Sequence, residues 1–155
     1  MHYTIPNRKN IRLHPFAYEN TGLYFITLCT QNRKCLFGSI GDDKLIPSSI
    51  GTTVISIIDE YRHHYPGIEI QQYVVMPNHI HFLIFRNPGN ESHAISLSRF
   101  ISHMKSFITL QCGKSFWQRG FYDHVVRTEQ DKLEIMEYIQ NNPRKWAMDK
   151  EFIEE

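Results

Sequence analysis

The feature that most constrains this chain is the run YVVMPNHIHFLIF at residues 73–85, in which two apolar segments flank a Pro-Asn turn. Such a pattern predicts a β-hairpin whose second strand begins with His79 and His81. Side chains alternate between the faces of a strand, so both imidazoles point the same way while Ile80 points to the other face. Two neutral imidazoles at this spacing can bind one divalent cation, although a bare His-x-His pair more often caps the edge of a sheet. A metal site here therefore needs a third ligand from elsewhere in the chain.

The composition is that of a folded protein without a strong charge signature. The 155 residues fit one domain, which we predict to span residues 1–155, and the formal net charge is +1. No apolar run reaches the length of a membrane span, and the N-terminus lacks an apolar signal-peptide core, so we predict no membrane association. Three cysteines without a CxxC pair favour a reducing cytoplasm and buried free thiols over disulfides or a zinc site.

The predicted elements are bounded by capping residues, Gly and Pro. In chain order they are a strand at 23–30, a small inserted hairpin at 35–37 and 44–46, a helix from Ser48 or Ser49 to about Pro66, the hairpin strands at 69–76 and 79–85, a helix at 95–110, a strand at 121–127, and a helix from Thr128 to before Pro143. Residues 1–20 are predicted to form an extended arm, and residues 147–155 a tail that is either a short helix or frayed.

Apart from the small hairpin, the order is strand, helix, strand, strand, helix, strand. This is the α+β, ferredoxin-like arrangement with a split βαβ unit and an antiparallel sheet, here with an additional C-terminal helix that carries a tyrosine. In this topology the strand with His79 and His81 lies in the interior of the sheet. Neighbouring strands then hold both imidazoles rigidly, as a catalytic metal site requires.

The last helix carries a tyrosine and an asparagine on one face. At about 100° per residue, Leu133, Met136 and Ile139 share one sector, which we predict to be the core stripe. Tyr138 and Asn142 lie at i and i+4 on the adjoining flank. A phenol can act as a nucleophile, and an amide oxygen can bind a hard cation, provided that this flank packs against the histidines. The alternatives are an amphipathic residue at the edge of the core and a helix C-cap.

In combination these segments resemble the single-tyrosine transposases of the HUH endonuclease superfamily, and more closely the REP-associated tyrosine transposases of the IS200-like family. The likeness covers about residues 23–146 in the expected order, through YFITLCT, YVVMPNHIHFLI, SRFISHMKSF, FWQRGFYDHVVR and EYIQNNPRKW. The resemblance implies a metal-dependent endonuclease and transposase. Such an enzyme cleaves and rejoins single-stranded or hairpin DNA through a 5′-phosphotyrosine intermediate.

The resemblance also implies roles for four residues. His79 and His81 would bind Mg²⁺ or Mn²⁺, Asn142 would be the third metal ligand, and Tyr138 would be the catalytic nucleophile. Because imidazole suits Mn²⁺ better than Mg²⁺, we predict stronger activity with Mn²⁺. Some relatives are dimers that exchange the tyrosine helix and others resemble self-contained monomers, so both a monomer and a homodimer remain open.

Further residues are candidates for contacts with DNA. The basic ones would bind phosphates and the aromatic ones would stack on unpaired bases; they are Lys105, Arg119, Arg127, Trp117 and Tyr122. As surface charges and core aromatics these residues would look the same in the sequence. His124, on the strand before the tyrosine helix, is an auxiliary candidate whose alternative is a hydrogen-bonded structural histidine.

Two other function classes fit the same residues. One is a non-catalytic module that binds hairpin DNA on the same fold, and the other is a metal-dependent hydrolase that uses water as its nucleophile. The usual RNA-recognition domain is disfavoured because its Gly-rich signature is absent. For an enzyme of this kind we expect a bacterial, cytoplasmic location in association with the nucleoid.

Overall fold

The computed structural model describes residues 21–89, 94–149 and 151–153, so the arm predicted for residues 1–20 lies outside the described residues. Its strands are β1 (Gly22–Cys29), β2 (Gly38–Gly41), β3 (Lys44–Pro47), β4 (Ile68–Met76), β5 (His79–Arg86) and β6 (Tyr122–Val126). Its helices are α1 (Ser49–Tyr61), α2 (Leu97–Cys112) and α3 (Glu129–Asn141). The main sheet is antiparallel with the order β4-β5-β1-β6, which confirms the predicted ferredoxin-like α+β fold with β5 in the interior.

The small hairpin of β2 and β3 begins later than the sequence indicated. Its first strand is Gly38–Gly41 rather than residues 35–37. Asp42 and Asp43 have left-handed φ values of 51° and 60° and form a two-residue turn, which fixes where the preceding strand ends. Phe37 lies before the hairpin instead, and its side chain is fully buried in the main core.

The main sheet has helices on both faces, and β5 contributes side chains to each. Ile80, Phe82 and Ile84 are fully buried in the larger apolar core, together with residues of α1 and α2. On the opposite face Leu83 and Phe25 pack with α3 in a smaller cluster. Burying a side chain of this size contributes about 1.5–3 kcal/mol, so the face covered by α1 and α2 is the main source of hydrophobic stabilisation.

The buried stripe of α3 differs from the predicted one. Ile135 and Ile139 are buried, whereas Leu133 is 53% exposed and Met136 is 37% exposed, so the prediction was wrong for the last two residues. Ile135, Tyr138, Ile139 and Asn142 lie at i, i+3, i+4 and i+7 and thus form one helix face. Hydrophobicity alone favours Leu133 and Met136 for the buried face. The true face was missed because it includes the polar residues Tyr138 and Asn142.

The chain continues beyond α3 as a short 3-10 segment, Pro143–Met148, in which Trp146 is buried. Glu151, further along, is also buried. Part of the predicted tail is therefore packed against the domain rather than frayed. Among the described residues, no helix combines the length and apolarity that crossing a membrane requires.

Candidate metal and tyrosine site

His79 and His81 lie side by side on the α3 face of the sheet. In the register of β5 with β1, His81 is opposite Thr27, and His79 is opposite Cys29. Both imidazoles are fully buried, and their Nε2 atoms are 3.1 Å apart. Because β4 and β1 pair with β5 along both edges, the two rings are held in a fixed relation.

Asn78, in the turn before β5, sets the ring orientation and tautomer of His79. Its amide nitrogen donates hydrogen bonds to the carbonyl oxygens of Arg33, at 3.2 Å, and Glu151, at 2.6 Å. The amide oxygen therefore faces His79 and accepts from Nδ1 at 2.8 Å. An imidazole protonated on Nδ1 carries its lone pair on Nε2, so this second nitrogen faces His81 as a ligand atom.

His81 is oriented through its other ring nitrogen. Nδ1 lies 2.8 Å from the hydroxyl oxygen of Thr27 on β1. Burial lowers the pKa of His81 well below its ordinary value, the nearby His79 lowers it further, and Asp149 acts in the opposite direction. The ring is therefore neutral at pH 7 and can offer a lone pair to a cation.

Tyr138 reaches the histidines from α3 of the same chain. The helix begins as predicted, with Thr128 as the N-cap whose hydroxyl accepts from a backbone N–H in the first turn at 3.0 Å. Ten residues on, the ring centroid of Tyr138 is 5.3 Å from that of His81 and 6.1 Å from that of Phe25. The structure thus brings the predicted nucleophile into contact with the predicted metal-binding histidines.

The environment of Tyr138 keeps its phenol protonated. Burial raises its pKa, the charge of Asp149 raises it further, and hydrogen bonding to Asn142 lowers it. The net shift is upward, so the phenol must lose its proton to a base during any attack.

Asn142 is buried one helical turn after Tyr138, at the end of α3. Its amide oxygen accepts no hydrogen bond from any residue that the structure describes. Leaving such an oxygen buried and unsatisfied costs about 1–3 kcal/mol, so the position favours a partner that donates a proton or positive charge.

Asp149 joins the same site, although the sequence did not reveal it. Its Oδ2 lies 3.4 Å from Nε2 of His79, without hydrogen-bond geometry, and the ligand atoms of His79, His81 and Asp149 all lie within 4.8 Å of one another. Burial raises the pKa of this carboxyl, but its contacts with the two histidines and Asn142 outweigh that effect and hold the pKa below its ordinary value. Asp149 is therefore a carboxylate at pH 7.

A sequence signal for this docked segment did exist. Trp146 and Phe152 are large apolar residues on either side of Asp149, and their rings pack with centroids 5.3 Å apart. Apolar residues at this spacing in an otherwise polar tail indicate that the segment folds back onto the domain rather than extending into water.

The donor atoms fit a divalent cation. Nitrogens of two imidazoles, a carboxylate oxygen and an amide oxygen are buried together, an arrangement that is unfavourable until a cation or proton neutralises it. Two ligand atoms at right angles around an ion are about 3.0 Å apart when each is about 2.1 Å from it, which agrees with the 3.1 Å between the Nε2 atoms. Mixed nitrogen and oxygen ligands suit transition ions such as Mn²⁺ better than Mg²⁺.

Lys105 and Trp117 have partners within the protein. The Lys105 ammonium donates to the carbonyl oxygens of Gln118 and Gly120 at 3.1 and 2.9 Å, and the Trp117 indole donates to the carbonyl of Lys105 at 3.2 Å. These bonds join α2 to the segment before β6 and give both side chains a structural role. Their contacts with DNA stay a prediction.

Tyr122 lies on the same face of the sheet as the histidines. Thr27 of β1 pairs with His81 on one side and with Tyr122 of β6 on the other, so the three side chains form a row across the sheet. Arg119 and Arg127, on either side of β6, are exposed. Arg119 precedes the end of β6 that carries Tyr122, and Arg127 follows the other end of the strand.

His124 also lies on this face of β6, opposite Phe25 of β1. Its Nε2 is 2.7 Å from a carboxylate oxygen of Asp131, in the first turn of α3. This pair ties β6 to the helix that carries the tyrosine. The position agrees with the structural alternative, and an auxiliary role in catalysis stays a prediction.

The comparisons with known proteins give a consistent result. The family model described as "Transposase IS200 like" matches residues 21–142. An uncharacterised Haemophilus influenzae protein is 30% identical, with 97% of this chain and 96% of the relative covered. A second protein of that organism, provisionally named a REP-associated tyrosine transposase, is 26% identical, with 83% of this chain and 73% of the relative covered.

Among solved structures, a REP-associated tyrosine transposase bound to a REP hairpin matches with a TM-score of 0.65 and 26% identity, covering 86% of this chain and 73% of that one. The family match spans most of the chain and includes both histidines, the tyrosine and the buried asparagine. The resemblance seen in the sequence is confirmed, and the chain belongs to the family of IS200-like transposases.

Proposed function

We propose that this transposase cleaves and rejoins single-stranded DNA beside a hairpin through Tyr138, with a divalent cation held by His79, His81 and Asn142. The observation that supports this most directly is the 5.3 Å separation of the Tyr138 and His81 ring centroids within one chain. The buried, unsatisfied amide oxygen of Asn142 is a second support, because a bound cation removes its energetic cost.

The residues have separate roles in the proposed reaction. His79, His81 and Asn142 would hold Mg²⁺ or Mn²⁺, which when bound neutralises phosphate charge and aligns the scissile bond. The Tyr138 oxygen forms a bond to phosphorus as the bond from phosphorus to the 3′ oxygen breaks. The phenolic proton passes to a base, and the departing 3′ oxygen takes a proton from water and becomes a hydroxyl. A phosphotyrosine at the 5′ end retains the bond energy, so a 3′ hydroxyl can reverse the step without ATP.

DNA is the partner that the relatives and the surface of this chain support. The solved relative is bound to a REP hairpin. In this chain Arg119 and Arg127 are exposed beside β6, and Tyr122 lies in the same row as His81. We propose that the arginines contact phosphates and that Tyr122 stacks on a base of the strand entering the site, with Lys105 and Trp117 as further candidates.

The test is a cleavage assay on labelled hairpin DNA with a single-stranded flank in the presence of Mn²⁺ or Mg²⁺. A denaturing gel should show a covalent protein–DNA band that is lost in Tyr138→Phe. Tyr73→Phe is the matched control, because Tyr73 is a half-buried phenol that pairs with Phe82 and contacts Asp59 on the other face of the sheet. This control should retain the band.

The other function classes give different results in the same assay. Cleavage that survives Tyr138→Phe would assign the reaction to a hydrolase with a water nucleophile. Hairpin binding without cleavage under either cation would assign the protein to a non-catalytic binding module. Each of these outcomes would refute the proposed mechanism.

The site residues come from one chain, so we propose that catalysis does not require exchange of α3 between subunits. Mixing His79→Ala protein with Tyr138→Phe protein should then restore no cleavage. If the tyrosine acted on the histidines of another subunit, one site in each mixed dimer would contain all wild-type residues. Recovery of activity on mixing would therefore refute the self-contained site.

A further inference from the structure

The segment that carries Asp149 is hydrogen-bonded to Asn78, in the turn before β5, and to Arg33, which follows β1. The amide nitrogen of Asn78 donates to the carbonyl of Glu151 at 2.6 Å. The guanidinium of Arg33 donates to the carbonyl of Phe152 at 3.2 Å and lies 3.5 Å from the Glu151 carboxylate. Trp146 packs on Phe152, and its ring centroid is 6.1 Å from that of His79, so polar and apolar contacts both hold this segment in place.

These contacts orient the carboxylate of Asp149 toward the histidines. The backbone N–H of Glu151 donates to Oδ1 of Asp149 at 2.9 Å, which satisfies that oxygen. The other oxygen, Oδ2, is buried, accepts no hydrogen bond from the described residues and lies 3.4 Å from Nε2 of His79. One carboxylate oxygen is therefore anchored and the other is presented to the histidines.

We propose that Asp149 is a further metal ligand of this transposase, and that Asn78 and Arg33 are positioning residues that hold it at the site. The proposal rests on the metal-dependent function proposed above. Two imidazoles and an amide are neutral ligands, so a carboxylate supplies the negative charge that strengthens binding of a hard divalent cation.

Asn78 couples the two parts of the centre. Its amide oxygen sets the tautomer of His79, and its amide nitrogen holds the turn that carries Asp149. A single side chain thus orients a ligand on β5 and a ligand on the C-terminal segment. Contacts behind metal ligands commonly change metal affinity by about 10- to 100-fold, so both positioning residues should be measurable in binding.

The first test measures Mn²⁺ binding to the full chain without DNA, by calorimetry and by the paramagnetic resonance signal of free Mn²⁺. Asp149→Asn should weaken binding by at least about 100-fold, because loss of a charged ligand should exceed the loss caused by changing a contact behind it. Asp59→Asn is the control for the same change of charge away from the site, because Asp59 lies on α1, where its carboxylate accepts a hydrogen bond from Tyr73 at 2.7 Å. The control should bind Mn²⁺ as the wild type does.

Stability of the metal-free protein separates a ligand from a structural acid. In EDTA, Asp149→Asn should lower the melting temperature only slightly, because the amide oxygen of Asn can still accept from the backbone N–H of Glu151 and only the contacts of the charge with the histidines are lost. With Mn²⁺ present, the same variant should lose most of the metal-induced rise in melting temperature. A large loss of stability in EDTA would overturn the proposal and assign Asp149 a structural role.

A double-mutant cycle tests whether Arg33 acts through Asp149. Arg33→Gln should weaken Mn²⁺ binding by about tenfold, and should cause no further loss when Asp149 is already Asn. Additive losses would overturn the role of Arg33, since they would mean that it acts independently of Asp149.

Failure of this proposal differs from failure of the proposed function. If His79→Ala abolishes Mn²⁺ binding and Asp149→Asn leaves the affinity unchanged, the site stands and Asp149 is not a ligand. If neither variant changes the affinity, the metal centre itself is refuted together with Asp149 as part of it.

Discussion

The two faces of the central sheet bury different chemistry although β5 supplies both. Ile80, Phe82 and Ile84 on one face, and His79 and His81 on the other, are all fully buried. Burial of the apolar group releases water and stabilises the fold, whereas burial of the imidazoles costs free energy until their nitrogens find partners. An alternation with a period of two thus lets one strand stabilise the domain on one side and assemble a reactive site on the other.

The electrostatics of the α3 face follow from the same burial. Burial lowers the pKa of His81 and raises the pKa of Tyr138, so both groups are held in their neutral forms. The buried imidazole and phenol groups therefore add little stability by themselves, in contrast to the apolar cluster beside them. In the proposed function these groups would receive a cation and a phosphate.

The largest expected contrast is between two neighbours in the chain, His81 and Phe82. Phe82→Ala should reduce the free energy of unfolding by about 3–5 kcal/mol, because it opens a cavity in the main core. His81→Ala should abolish metal-dependent cleavage while costing no more than about 1–3 kcal/mol, for the lost hydrogen bond to Thr27. Urea unfolding in EDTA and the hairpin assay measure the two effects, and equal stability losses would break the distinction between the faces.

Two residues of α3 should differ in how much they stabilise the fold. Ile135 is fully buried against the sheet and Leu133 is 53% exposed. Ile135→Ala should cost about 2–4 kcal/mol, and Leu133→Ala within about 1 kcal/mol. Denaturant midpoints of the two variants at equal slopes check this; similar values would mean that the helix is packed in a different rotation.

Metal should stabilise one face more than the other. Mn²⁺ at about 100 times its dissociation constant should raise the free energy of unfolding by about 2.7 kcal/mol, and EDTA should reverse the effect. Hydrogen exchange with and without Mn²⁺ should show the added protection mainly in β5 and α3. The His79→Ala variant should show none of it, and added protection that persists in that variant would indicate binding elsewhere.

The smallest effect is expected at the start of α3. Thr128 caps this helix through its hydroxyl, so Thr128→Ala should cost about 1 kcal/mol. Thr53→Ala offers a control, since that hydroxyl donates to a backbone carbonyl on the exposed surface of α1. A drop in melting temperature for Thr128→Ala no larger than that of the control would contradict the capping role.

The fold was predictable because its signals are local. Alternation along β5, the Pro-Asn turn, the cap at Thr128 and the apolar period of α1 and α2 each depend on neighbouring residues, and together they determine the order of elements. The small hairpin was misplaced because its register depends on the left-handed pair Asp42 and Asp43, which the sequence allows but does not demand.

The site was predictable only in part. The strand period places His79 and His81 on one face and the helix period places Tyr138 and Asn142 on one flank, whereas their roles were implied by the resemblance to transposases and stay predictions. Deciding that their flank of α3 faces the sheet needed the tertiary structure, because a hydrophobicity count favours Leu133 and Met136. Asp149 could not be found locally, since its position depends on contacts of the following turn with Asn78 and Arg33, far away in the chain.

The sequence order of these elements has a consequence for synthesis on the ribosome. All four strands of the main sheet and both helices of its apolar face emerge before α3. A nascent chain can therefore fold its stabilising half first, while the imidazoles, Phe25 and Leu83 still face water. We expect the proposed catalytic centre to assemble only after α3 has been synthesised. A nascent chain should therefore be unable to cleave DNA before its sheet has folded.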